Sequence, residues 1–169
     1  MSTSLPEPGP SADVETRLLD YLDFYRDTVA DKVSGLTDAQ LRESRLPSGW
    51  SPIELVKHLA FMERRWLVWG FLGEQVAEPW GDDRAGRWYV GTDEDLTSLL
   101  SRLRETGART REIVEAAELS DPAALGGRFD ESGAEPSLVS ILLHVLQEYA
   151  RHTGHLDVGR ELIDGRTGE

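Results

Sequence analysis

The chain has 169 residues, an apolar fraction of 39%, a mean hydropathy of −0.40 and no cysteine. These values fit a folded globular protein, and they exclude disulfides, thiolate zinc sites and a cysteine nucleophile. Against 18 basic residues stand 31 acidic ones, a formal charge of −13, which argues against nucleic acid and anionic membrane surfaces as partners.

Residues 1–12 are rich in Pro and Ser and lack a basic start and an apolar core, so they read as a disordered leader and not as a signal peptide. Residues 13–169 read as a single domain, and the cytoplasm is the expected location. The first helix is predicted from about Val14 to Val33, where Leu18, Leu22, Tyr25, Val29 and Val33 recur at spacings of three and four. Ser34-Gly35 breaks it, and Thr37 caps a short turn of helix in LTDAQLRE. LPSGW is a loop. In SPIE, Ser51 as N-cap, Pro52 at the first helical position and Glu54 three residues after the cap announce a second helix. Its stripe of Leu55, Leu59, Met62, Trp66 and Trp69 runs to a stop by Gly73.

Residues 74–91 have no period and read as a long ordered loop, a kind of segment that is more often functional than idle. Thr92 or Asp93 is expected to cap a third helix reaching about Ala117, with Gly107 a weak spot in it. After a second connector, Pro136 is expected to start a last helix that ends at Gly165. Four principal helices and no convincing strand pair predict an all-α four-helix bundle with long connecting loops.

The last helix carries HVLQEYARHTGHLD, with three of the chain's four histidines. At about 100° per residue, His152 lies within about 40° of the centre of the apolar face and Glu148 within about 80°. His144 and His155 lie further round, at about 120° and 100°. Glu148 and His152 are therefore the pair pressed inward. A carboxylate driven toward a core needs a cation or hydrogen bonds. His58, on the second helix between Leu55 and Met62, also borders an apolar stripe. Two readings fit these residues: buried polar groups satisfied by neighbours, with Arg65 a partner for Glu148, or two His and one Glu around a divalent ion. Such a donor set suits zinc first, and iron, nickel or manganese as well. Di-iron bundle chemistry fits less well, because the spacing is Glu148-x-x-x-His152 rather than Glu-x-x-His.

The segments PSGWSPIELVKHLAFMERRWL, EPW…WYV and LLHVLQEYARHTGHLDVGRELIDGRTG resemble the DinB-like family of metal-dependent bundles. The likeness runs from about residue 14 to the end. It is nearest to the actinobacterial branch beside the mycothiol-dependent maleylpyruvate isomerases and S-transferases. The resemblance implies a bundle of the DinB/YfiT-like type holding one divalent metal. Most members use three histidines; here Glu148 stands in the first position of the His-x-x-x-His pair, as in the maleylpyruvate isomerases. Carried over, the ligand set becomes His58, Glu148 and His152. His155, one turn on, is the candidate catalytic proton carrier, or a further ligand, or a partner bonded to one.

The resulting expectation is an enzyme that activates a low-molecular-weight thiol of the mycothiol kind for transfer or isomerisation. A non-catalytic metal-binding or stress-related protein and a metal-assisted hydrolase are the alternatives. Small-molecule substrate and thiol are the expected partners, with a homodimer as a further expectation. Trp66, Trp69, Trp80 and Trp88 are candidates to wall a pocket, although Trp66 and Trp69 read better as core. Arg65, Arg84 and Arg87 are candidates to anchor a carboxylate.

Overall fold

A computed structural model describes residues 13–130, 133 and 135–167. The expected leader at 1–12 lies outside the described residues. Helix α1 spans Val14–Val33, α2 Asp38–Arg42, α3 Pro52–Arg64, α4 Leu96–Ala116 and α5 Leu138–Asp164. The expected all-α bundle is present. Helix α1 packs on α5 and α4, and α3 packs on α4 and α5, so the four long helices close a ring around one apolar core.

The helix ends follow from local chemistry. Asp13 accepts from Thr16 N at 2.7 Å to open α1, and Glu54 Oε2 accepts from Ser51 N at 2.8 Å to open α3. Helix α4 starts later than expected, after Asp95, which accepts from Ser98 N at 2.7 Å. The reason is tertiary. Arg42 donates to the carbonyls of Gly91 and Glu94, and the Glu94 carboxylate takes Gly91 N and Lys57 Nζ, so residues 91–94 are bound up as a turn. Helix α5 likewise begins after Ser137 and not at Pro136. Its first amides, Leu138 N and Val139 N, each donate at 2.9 Å to the carbonyls of Asp121 and Leu119.

Past Arg64, α3 loosens into a π-helix over Arg65–Phe71, a rare form that leaves carbonyls free for other donors. Phe71 O and Trp69 O accept from Ala124 N and Arg128 N of the second connector, at 2.8 and 3.0 Å. Gly127 permits this approach, since a Cβ there would lie 2.0 Å from Trp69 O. The loop at 74–91 does contain a strand pair, against expectation. Asp83–Arg84 (β1) and Arg87–Trp88 (β2) form a two-residue antiparallel hairpin. Its turn places Ala85 at φ 56° and Gly86 at φ 76°. Two-residue strands are too short to show a period, and alanine is no turn signal in the left-handed region.

One polar node ties the bundle together. Glu63 of α3 is fully buried. It accepts from Arg26 of α1, from Thr110 Oγ1 of α4 at 2.6 Å and from Tyr149 Oη of α5 at 2.6 Å. Every carboxylate oxygen is thus satisfied, which is what permits a charge at zero exposure. Gly107, a weak spot by helix propensity, is explained here: a Cβ would stand 2.6 Å from Arg26 Nε.

Candidate metal centre

The helical phase of α5 turns Glu148 and His152 toward α3, and α3 presents His58 to them. One donor atom from each of the three lies within 4.8 Å of the others. Their side chains are 12%, 19% and 8% exposed for His58, Glu148 and His152. His152 Nε2 stands 3.1 Å from Glu148 Oε2, so these two groups face each other directly. The imidazoles of His58 and His152 are edge to face at 5.1 Å between centroids.

The donor set fits a divalent ion, because the outer nitrogens of both histidines are engaged elsewhere. His58 Nδ1 lies 3.0 Å from Asp82 Oδ2. Burial by itself would raise the Asp82 carboxyl, but the bonds from His58 and Arg65 outweigh it and hold the group below its ordinary range. An ionised Asp82 accepts the Nδ1 proton of His58, which leaves Nε2 as an unprotonated donor. This carboxylate–histidine arrangement is the usual way to fix a metal-binding tautomer. His152 Nδ1 lies 3.3 Å from His155 Nδ1, so His155 holds the outer nitrogen of the second histidine. Burial and the neighbouring His58 pull the His152 pKa down to about 4, which keeps it neutral, the form in which imidazole binds metals.

Other expected residues fall in different places. Arg65 does not reach Glu148; it donates to Asp82 Oδ1 and to Pro79 O, because the loop after the π-helix closes back and places both acceptors beside it. His144 packs against Trp66 at 4.4 Å between centroids with planes 55° apart, and its Nε2 is 3.8 Å from Glu148 Oε1. Trp66 and Trp69 are half-buried and lie beside the Arg128 guanidinium at 4.1 and 6.0 Å. Trp88 stacks on His58 at 4.2 Å with planes 18° apart and meets His152 at 5.2 Å. With Arg87 it lines a cavity of about 330 Å³. Trp80 and Arg84 line a larger cleft of about 660 Å³ whose walls include none of the three donors.

Two residues of the site gave no signal in the sequence. Asp82 sits in aperiodic GDDR, where either acid is an ordinary loop residue; its role comes from a loop closing back on α3. Trp50 precedes the α3 cap and reads as loop, yet its ring packs on His155 at 5.5 Å and near Trp88 at 6.3 Å.

A search of curated proteins finds no match to this chain. Among solved structures, a conserved protein from Enterococcus faecalis superposes with a TM-score of 0.63. The alignment covers 92% of this chain and 100% of that one at 16% identity, a likeness of fold alone. A family model described as mycothiol-S-transferase matches residues 17–165, nearly the whole helical region that carries the donors and the loop above them. The chain therefore belongs to the mycothiol-S-transferase family of DinB-like bundles.

Proposed function

We propose that this protein is a metal-dependent S-transferase that joins a low-molecular-weight thiol of the mycothiol kind to an electrophilic small molecule. The observation that carries this reading is the convergence of His58, Glu148 and His152 within 4.8 Å, with Asp82 and His155 on the outer nitrogens. His58 Nε2, a Glu148 oxygen and His152 Nε2 would hold one divalent ion, with zinc the best match to two imidazoles and a carboxylate. A bound ion of this kind lowers the pKa of a thiol beside it, so that thiolate is available at neutral pH.

The protein's own groups have the remaining tasks. Asp82 keeps His58 in the tautomer with a free Nε2. His152 is neutral at physiological pH, and with an ion held between its Nε2 and Glu148 it would carry its proton on Nδ1, 3.3 Å from His155 Nδ1. Trp88 covers His58 and limits water at the donors. In the transfer, a carbon–sulfur bond forms, the leaving group departs with its electron pair, and the thiol proton passes to solvent or to a nearby base. With Nδ1 accepting from His152, neutral His155 carries its own proton on Nε2 at the half-buried rim, so it could take the thiol proton only at Nδ1, on release of that contact.

The test begins with elemental analysis of protein purified without chelator. About one divalent ion per chain is expected, and His58→Ala and Glu148→Gln should each strip it. A panel of mycothiol, bacillithiol and glutathione against electrophiles, read by mass spectrometry, then assays transfer. Full metal retention in both variants refutes the ligand set. Metal binding with no thiol-dependent product refutes transfer.

A further inference from the structure

The cavity of about 330 Å³, at the lower end of the range for small-molecule sites, has none of the three donors in its wall and meets the site through two tryptophans. Trp50 and Trp88 wall it, and both touch the site: Trp88 stacks on His58, and Trp50 packs on His155. Their rings meet at 6.3 Å between centroids and are inclined at 50°, so a flat group in the cavity would lie against their exposed faces rather than between them. Gly49 and Gly86 complete the wall at φ 84° and 76°, and a Cβ at either would meet nothing within 4 Å. Those positions therefore leave open space rather than packed chain. The cation on the wall is Arg87, which the hairpin turn carries beside Trp88. No acid, carbonyl or ring partner for Arg87 occurs among the described residues, although the chain has 31 acids against 18 bases. The acid on the wall, Glu54, is committed through Oε2 to Ser51 N and Oγ, at 2.8 and 2.9 Å.

From this arrangement we infer that the cavity seats the acceptor substrate, a planar unsaturated or aromatic molecule bearing an anionic group that pairs with Arg87. The inference deepens the thiol-transfer reading and rests on it for the word acceptor. Ring faces favour flat apolar bodies, and a planar guanidinium with free donors favours a carboxylate or similar anion. Besides Arg87 the wall carries Ser48 and the Glu54 carboxylate, the latter turned to the α3 cap, and the two tryptophan rings are the part that suits a flat electrophile.

The experiment uses full-length, metal-replete protein and two unreactive probes of one shape, 2-naphthoate and 2-naphthamide, measured by titration calorimetry. Naphthoate should bind about tenfold more tightly, the scale of one charge-assisted contact at a partly exposed site. Arg87→Ala should abolish that preference with metal content unchanged, and Arg87→Lys should retain part of it. Equal binding of both probes by the unsubstituted protein overturns the inference. So does a preference that survives Arg87→Ala; if chelation then removes it, the carboxylate sits on the metal instead. Arg87-dependent naphthoate binding without thiol transfer to any electrophile would refute the transfer reading and leave the anion seat standing. Transfer that ignores both acceptor charge and Arg87 would refute the seat and leave transfer standing.

Discussion

Replacing Asp82 by asparagine keeps the shape of the side chain and removes its charge. In the structure Asp82 is 2% exposed and serves two cations or donors at once, His58 Nδ1 through Oδ2 and Arg65 Nη1 through Oδ1. Asparagine has one carbonyl oxygen, so it can satisfy only one of them. If that oxygen faces Arg65, the amide NH₂ faces His58 Nδ1 and drives the proton onto Nε2, the nitrogen the metal needs. If it faces His58, buried Arg65 loses its counter-charge and retains Pro79 O at 3.0 Å. Removing one partner of a buried ion pair costs about 3–5 kcal/mol, and the remaining carbonyl puts Asp82→Asn near the lower end, about 3 kcal/mol. Loss of the carboxylate behind a ligating histidine costs about 10–100-fold in metal affinity. Urea unfolding in excess chelator measures the first quantity, and competition against a chromophoric chelator measures the second. Asp82→Asn protein with unchanged metal affinity and unchanged urea midpoint would refute the orienting role assigned to Asp82.

Three further outcomes are expected. Gly107→Ala, which gains about 1 kcal/mol in an ordinary helix interior, should here lose about 2–3 kcal/mol in urea unfolding, because the methyl displaces an arginine pinned by Glu63. In chelator-treated protein, stability should fall as pH drops from about 6.5 toward about 4, and His152→Gln should flatten that slope. The sign follows from burial lowering the folded pKa of His152: in this window the unfolded chain binds the proton first, so acid favours unfolding. His155→Gln should weaken metal binding by about tenfold while leaving about one ion per chain at saturation, as expected of a group that steadies His152 rather than ligating. Loss of the ion altogether would make His155 a ligand.

The bundle was legible from periodicity because a helix repeats locally. Leu18, Leu22 and Val29 all fall in the core at 6% exposure or less, as their spacing requires. The inward turn of Glu148 and His152 was legible for the same reason, and the structure brings His58 to meet them. Local patterns failed where a distant element redirected a segment. Asp95 displaced Thr92 and Asp93 as the α4 cap because Arg42 and Lys57 hold residues 91–94 from outside. Arg65, expected beside Glu148, took Asp82 because the loop closes over α3.

What the residues determine by themselves is thus one-dimensional: which positions are helical, where caps begin them, and which face of each helix carries apolar or donor side chains. Those features depend on neighbours three or four positions away. The site's outer partners depend on contacts across 24 residues for His58 with Asp82, and the central node on contacts across 86 for Tyr149 with Glu63. No period encodes such pairs; they exist once the core has set the helices side by side and left each buried charge to find the partner within reach.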